Sequence, residues 1–426
     1  MTMNPAPLDH WIQHDAIPFS ADSSDAFHAA VDQVVTSLGD AVELLGFGEA
    51  LHGGEDILMF RNRLFQRLAE AHGYSAIAIE SSFPKGRAAN DYVAGRGPDS
   101  YDAVQDTGFS HGFGQLAANR ELLEWMRRTN ADSSHAVKLR FYGFDMPLLR
   151  ATYASPRQVL EFVLDYLDAG DDPGSPERRQ RIDSLLGPDF DWENPEAIAD
   201  PTKSVGLSPA AAALRIETED LITELRSRRP EFAARSSPDR YAEALHHAVL
   251  ARQLLGYHAG VARRLDASAL LGIRDASMAD NLAYIVERER GRGKVMAFAH
   301  NSHVQRGKAV WPWYAFWPVG SHLKELFGPR YAVIGSAVGV SEANGIGQPE
   351  AGSLEARLMN LPGSAAFIPT HQGQGIPGSE IDALPVRAGS ARNLSYKGLT
   401  AQSFTDFDWL AFLDSTAYSR GGPPLP

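Results

Sequence analysis

Short apolar runs at 42–47, 75–79, 139–144, 295–299, 331–338, 365–368 and 409–413 have strand length and are followed by Gly-rich or polar turns. Most are apolar at consecutive positions, the pattern of strands covered on both faces in a largely parallel sheet. Between the first two, Leu58, Leu64, Phe65 and Leu68 recur at helical spacing over 57–72, and Gly73 supplies a stop. A second helix is predicted near 116–128, ahead of the third strand. Strand, helix, strand, helix, strand in this order predicts an α/β fold, a mostly parallel sheet flanked by helices.

The pattern changes in the middle of the chain. From Pro156 to about Arg290 no strand is predicted, and helical periodicity runs over 157–168, 209–228, 239–266 and 276–290. The segment 171–208 is rich in Pro, Asp and Gly and reads as loops around one short helix. The expected organisation is a first half of an α/β core over 1–155, a large helical insertion over 156–290, and the second half of the core over 291–426.

Composition narrows the class. The chain has 426 residues, 44% hydrophobic and 22% charged, which is ordinary globular usage. A formal net charge of −13 disfavours a nucleic-acid partner, which needs clustered Lys and Arg. The absence of cysteine excludes disulfides, thiol nucleophiles and thiolate metal sites. Met1 to Phe19 carries Asp9, Asp15 and prolines and lacks the basic-then-apolar pattern of a signal peptide, and no apolar run reaches bilayer length. The expectation is a cytoplasmic protein with no membrane partner.

The chemistry gathers where the predicted strands end. The run 42–47 leads into Gly48-Glu49-Ala50-Leu51-His52-Gly53, and the run ending at Ile79 is followed at once by Glu80. Asp145 follows the third run, and His300-Asn301-Ser302-His303 follows the fourth. Sites in parallel sheets form beyond the carboxyl ends of strands, so Glu49, His52, Glu80, His300 and His303 are expected at one site. Asp145 alone could as well be a turn or capping residue. An imidazole flanked by carboxylates is held in one tautomer and becomes a better base, able to take a proton from water. A second imidazole or an arginine would then stabilise the oxyanion of an attacked ester.

Other patterns carry less. Gly108-Phe109-Ser110-His111-Gly112 fits G-x-S-x-G, but Asp102, Gln105, Asp106 and Thr107 precede it where a nucleophile elbow needs a buried strand. The glycines Gly46, Gly48 and Gly53 miss the spacing of a dinucleotide-binding loop. No cofactor is expected, although the N and O donors of the five-residue set leave a divalent ion such as zinc open. His246, His247 and His258 lie in a helical pattern and read as packed or solvated. The aromatic stretch around Trp311, Trp313 and Trp317 is either a buried loop or an apolar substrate wall.

Taken together, these motifs resemble the erythromycin esterase family. Gly48-Glu49-Ala50-Leu51-His52-Gly53 is similar to its G-E-A-T-H-G signature, with Leu51 where threonine is usual. The helix from Arg61 to Leu68, Ile77-Ala78-Ile79-Glu80, Asn90-Asp91-Tyr92-Val93 and Gly143-Phe144-Asp145 continue the likeness. Arg274-Asp275-Ala276-Ser277-Met278-Ala279-Asp280-Asn281 resembles the R-D-x-x-M-A-x-N helix, and Ala299-His300-Asn301-Ser302-His303-Val304 the A-H-N-x-H-V signature. The resemblance implies hydrolysis of an ester, in the founding members a macrolide lactone, by an activated water. It implies His52 as general base oriented by Glu49, with Glu80, His300, His303 and Arg274 completing the site. Asp145, Trp311, Trp313 and Trp317 are the expected substrate-binding residues. Residues 109–115 depart from the family's aromatic R-F-P-x-W stretch, so the implied substrate is a bulky, partly apolar natural product and not erythromycin in particular. A biosynthetic tailoring enzyme, using the same acid/base groups for cyclisation, elimination or group transfer, is the alternative.

Because no strand precedes residues 108–112, Ser110→Ala is expected to keep most of the turnover of the folded enzyme. An inactive but folded variant, or a covalent adduct on Ser110, would restore the serine-hydrolase reading.

Overall fold

The computed structural model describes residues 8–149, 152–169, 175–371, 374 and 378–423. Its strands are β1 (Ile17–Phe19), β2 (Leu44–Glu49), β3 (Tyr74–Ser82), β4 (Arg140–Asp145), β5 (Lys294–His300), β6 (Ala309–Val310), β7 (Ala315–Phe316), β8 (Tyr331–Val340), β9 (Ala365–Pro369) and β10 (Trp409–Ser415). Eight of them form one sheet in the order β1-β9-β10-β8-β2-β5-β3-β4, and β6 and β7 form a separate hairpin. The run from β10 to β4 is parallel throughout, while β9 is antiparallel to both β1 and β10. The fold is therefore α/β with a mostly parallel sheet, and all seven predicted strands are in it. The short β1 and the β6–β7 hairpin were not expected; each is too brief to show a period.

Both faces of the sheet are covered, which explains the unalternating runs. In β2, Leu45 and Phe47 face one hydrophobic cluster with Phe27, Phe65 and Leu68, while Leu44 faces a second with Met278, Leu282 and Ile285. In β3, Ile77 and Ile79 join the first cluster and Ala76 and Ala78 the second. Every residue of β2 and β3 is buried.

Between β4 and β5 the described residues hold helices and no strand. Arg157–Asp168, Pro209–Ser227 and Pro238–Ala262 pack around a third cluster through Val159, Leu160, Val163, Leu214, Leu221, Leu250 and Leu254. Two details differ from expectation. The segment expected as loops around one short helix holds a longer helix, Ser175–Leu186, anchored by the ion pairs Arg179–Asp168 (2.6 Å), Arg181–Glu217 (2.6 Å) and Arg178–Glu224 (2.8 Å) and by Ile182 and Leu186 in the third cluster; 171–174 lie outside the described residues. Asp266, expected to end one helix, instead caps the next, Ala267–Glu289, by accepting Ala269 N at 2.8 Å. This helix lies on the sheet through Met278, Leu282 and Ile285 and so delivers its first turns to the strand ends. No helix among the described residues is long and apolar enough to cross a membrane.

The helix Phe83–Val93 sits directly on β4 because two glycines meet there. A Cβ on Gly86 would lie 2.3 Å from Gly143 N. Gly86→Ala is therefore expected to destabilise the protein by about 1–3 kcal/mol. Gly256→Ala, within Pro238–Ala262 and with open space where a Cβ would project, is expected to stabilise by roughly 0.5–1 kcal/mol. Urea unfolding of both variants checks the contact; equal, unchanged midpoints would refute it.

Candidate active site

Four adjacent parallel strands bring the polar residues together. β2 ends on Glu49, β4 on Asp145 and β5 on His300, and Glu49 and His300 are register partners. Glu80 was expected just past its strand, but β3 continues through it to Ser82. The pairing of β3 with β4 shifts register between Ile79 and Ser82, an irregularity of the kind that re-aims side chains beside sites. β5 inserts between β2 and β3, so the chain leaves β2 in one direction and adds β8 on its other side, the topology that opens a crevice at the strand ends.

Glu80 is the hub. Its Oε2 accepts His300 N at 3.0 Å, and its Oε1 accepts Arg274 Nη2 at 2.8 Å and lies 3.3 Å from His303 Nε2. Burial alone would raise its pKa, but His303 and Arg274 hold it well below the usual carboxylate range. Arg274 also grips Asp145, with Nε 3.0 Å from Oδ1 and Nη2 2.5 Å from Oδ2. Burial opposes the charge of Arg274, and Asp145 and Glu80 more than restore it. Asp145 is likewise pushed up by burial and brought below its ordinary value chiefly by Arg274. His303 completes the chain: Nδ1 is 2.7 Å from Asp275 Oδ1, which also accepts Val319 N at 2.9 Å. Burial disfavours the imidazolium, yet Asp275 and Glu80 raise its pKa to about 10. His303 is thus a fixed cation at neutral pH, donating to carboxylates from both nitrogens.

His52 occupies the turn after β2 and has a different environment. Its Nδ1 is hydrogen-bonded to Glu49, and its backbone N donates to Ser395 Oγ at 2.8 Å. Its side chain is 40% exposed, and Nε2 has no protein hydrogen-bond partner among the described residues. Burial works against its charged form, the Glu49 carboxylate works for it, and the net shift is upward. The ring packs 5.1 Å from that of His300 and 6.2 Å from Phe113.

His300 is locked. Nε2 is 2.8 Å from Ser395 O, so it carries the proton, and Nδ1 accepts Ser302 N at 3.1 Å, capping the one-turn helix Asn301–Val304. Burial, then the neighbouring His52 and His303, lowers its pKa to about 3. It is neutral, with both nitrogens occupied by backbone.

The structure adds residues that the sequence reading passed over. Arg61, 1% exposed, stacks its guanidinium 4.8 Å over Phe298, and its Nε and Nη2 donate to Asn62 Oδ1 at 3.1 and 2.7 Å. It has no ion pair among the described residues, and burial lowers its pKa to about 10, so it remains charged. A charged residue between Leu58 and Phe65 on the buried face of Glu55–Ala71 was the available signal. Asp275, next to Arg274, was legible only as part of a motif. His111, at φ 58°, places Nε2 3.5 Å from Asp145 Oδ2. Asn393 and Ser395 reach the site from the far end of the chain: Asn393 Nδ2 donates to His52 O at 2.8 Å and Ser395 Oγ to Asn393 Oδ1 at 2.6 Å.

Ser110 is buried and structural in its bonding. Its Oγ accepts Ser82 N at 2.9 Å and its N donates to Ser81 Oγ at 2.8 Å, pinning the loop to β3. His246 and His247 are packed, stacked on Tyr284 and Phe162 at 3.9 and 3.8 Å. The expected substrate-binding tryptophans divide. Trp311 lies 6.0 Å from the His300 ring, and Phe316 of the same hairpin lies 5.9 Å from His303. Trp313 and Trp317 point outward, 82% and 57% exposed. Among the described residues, no three His, Asp or Glu side chains are arranged to hold one metal ion.

Known proteins match this chain over most of its length. The family model for erythromycin esterase matches residues 69–416. An Escherichia coli protein named erythromycin esterase type II is 22% identical over 344 residues, covering 77% of this chain and 76% of its own. A Bacillus cereus protein superposes with a TM-score of 0.75 at 17% identity over 97% of this chain and 98% of its own. A succinoglycan biosynthesis protein superposes at 0.72 with 19% identity over 97% and 98%. A histidine-to-asparagine mutant of the erythromycin esterase EreC, in its open conformation, superposes at 0.67 with 17% identity over 94% and 95%. These three share the fold. With the family model spanning most of the sequence, the chain belongs to the erythromycin esterase family, a group of esterase-like hydrolases.

Proposed function

We propose that this esterase-like enzyme hydrolyses an ester or lactone of a bulky, partly apolar natural product, with a water activated by His52. The observation that carries the reading is the Glu49–His52 pair: one ring nitrogen is held by a carboxylate and the other has no hydrogen-bond partner among the described residues. Such a ring is fixed in the Nε2-acceptor tautomer, the form a general base needs. His303 and His300 are not equivalent to it, one being a bound cation and the other neutral with both nitrogens occupied.

In the proposed step, His52 Nε2 takes a proton from water as its oxygen attacks the carbonyl carbon, and the same proton is then given to the departing alkoxide. Arg61 is the cation near His52 whose charge is not already spent on a carboxylate, and it favours the developing oxyanion. Arg274 and His303 keep Glu80 charged, Arg274 does the same for Asp145, and His303 holds Asp275 in place. Trp311 and Phe316, lying beside His300 and His303, form an apolar wall for the substrate. The names of the relatives make macrolactones the first substrates to try. The same aromatic wall favours a second reading, in which water is excluded and a group of the substrate serves as the nucleophile in a biosynthetic reaction. Incubation with a panel of macrolactones and esters in oxygen-18 water separates the two: label in the carboxylate product supports hydrolysis, and unlabelled product of altered mass supports the tailoring reaction.

His52→Ala is expected to lower kcat and kcat/KM together by roughly 10²–10⁴-fold. Its melting temperature should stay close to wild type, because the ring is partly exposed. A folded variant with near wild-type kcat would sink the mechanism.

The pH profile gives an independent check. His52 acts as a base only when neutral, so kcat/KM should rise with pH through a pKa above the ordinary histidine value of 6.5. Glu49 supplies the upward shift, so Glu49→Gln should move that rise to lower pH. A rise unmoved by Glu49→Gln would show that another group titrates.

A further inference from the structure

Asn119 lies on the inner face of the helix Ala117–Ala131 and is 1% exposed. Its Nδ2 donates to Phe113 O at 2.8 Å, which settles the orientation of the amide: the nitrogen must face that carbonyl. Its Oδ1 is therefore turned away, and it has no hydrogen-bond partner among the described residues. A buried amide oxygen without a donor is expensive and calls for an explanation.

A cavity that Asn119 lines supplies one. Asn119 shares a small cavity with Glu49, His52, Arg61 and Glu80, closed by apolar groups such as Phe298. It leaves about 20 Å³ for the centre of a water-sized molecule. Roughly 10–15 Å³ of this kind suffices for one water, provided that two or more polar groups receive it. Here an orphan acceptor, an imidazole and a guanidinium surround room for about one.

We propose that Asn119 is a positioning residue for the nucleophilic water, whose seat is this cavity; the inference rests on the His52-activated hydrolysis proposed above. One hydrogen of the water is donated to Asn119 Oδ1 and the other to His52 Nε2, which aims an oxygen lone pair out of the cavity. During attack the O–H bond to His52 breaks and the proton goes to Nε2. The oxygen bonds to the carbonyl carbon, the π pair moves to the carbonyl oxygen, and collapse expels the alkoxide, which recovers the proton from His52. The nearby Arg61 charge lowers the cost of forming hydroxide character in an apolar enclosure.

Two substitutions separate water positioning from support of Phe113. Asn119→Leu and Asn119→Asp both lose the bond to Phe113 O, but only Asn119→Leu loses the acceptor. The assay uses p-nitrophenyl acetate, or the panel ester that wild type hydrolyses most dependently on His52, with and without added hydroxylamine. Plateau kcat for hydrolysis should fall roughly 100-fold in Asn119→Leu, the scale of a misplaced reactant. Hydroxylamine product should fall much less, so its ratio to hydrolysis product rises. Asn119→Asp should keep hydrolysis within about tenfold of wild type, with the pH rise moved upward by the added charge. Equal losses in both variants, with an unchanged product ratio, would reduce Asn119 to a support for the loop. If Asn119→Leu does not fold, Asn119→Ala is read in the same way. Wild-type hydrolysis by the acceptor-free variant while His52→Ala is inactive overturns this inference alone; wild-type hydrolysis by both overturns the His52 reading beneath it.

Discussion

A carboxylate removed from water must be surrounded by donors, and Glu80 meets this requirement with three groups from two separate parts of the chain. The backbone of His300, the guanidinium of Arg274 and the ring of His303 converge on its two oxygens. Removing any one of them would leave charge uncompensated in a dry site, a far larger penalty than losing an exposed ion pair. The constraint reaches outward. Arg274 can meet Glu80 only if Ala267–Glu289 lies across the sheet at its observed place, and the same guanidinium fixes Asp145. The adjacent Asp275 turns to His303 and Val319, so one turn of helix joins β3, β4 and the segment after β5.

Three histidines within one site show how environment separates identical side chains. His303 has a carboxylate at each nitrogen and is held as a cation. His300 has a carbonyl at one nitrogen and an N–H at the other, which specifies a neutral ring and penalises a second proton. His52 has one carboxylate and one open edge. Only that last arrangement leaves a nitrogen able to exchange protons with a ligand near neutral pH. Neutral His300 beside His52 also serves the base, since a second imidazolium at 5.1 Å would resist protonation of the first.

Local pattern carried the sheet and the gathering of its polar ends, because a strand buried on both faces leaves an unbroken apolar run and the next polar residue must lie at its edge. Glu49, His52, His300 and His303 were legible in that way. The states of His300 and His303 were not, since they are set by Ser395 and Asp275, far away in sequence. Arg61 and Asn119 were hidden for the opposite reason: each sits in an apolar helical stripe, where a polar residue reads as an interruption until the facing cavity is known. The helix Ser175–Leu186 was expected only as one short helix among loops, because arginine–carboxylate pairs share with Ile182 and Leu186 the task of holding it to its neighbours.

The residues that fix charge and the aromatic residues beside them come from different kinds of element. Glu49, Glu80, Asp145 and His300 lie on strands whose positions are set by hydrogen-bonded neighbours in the sheet. Trp311 and Phe316 lie on a two-stranded hairpin whose outside links include Ala315 N to Ser268 Oγ at 3.1 Å and Lys397 Nζ to Val310 O at 2.8 Å. His111 lies on a loop with left-handed backbone at two successive residues, His111 and Gly112. Substitution in the hairpin alters that wall without removing a partner of the paired charges, whereas substitution at the strand ends, or of His111 beside Asp145, breaks a network that cannot be partly satisfied. The aromatic hairpin can therefore vary while the carboxylates and imidazoles stay in place, whereas a change within residues 109–115 has to preserve the contacts of Ser110 and His111 to the strand ends.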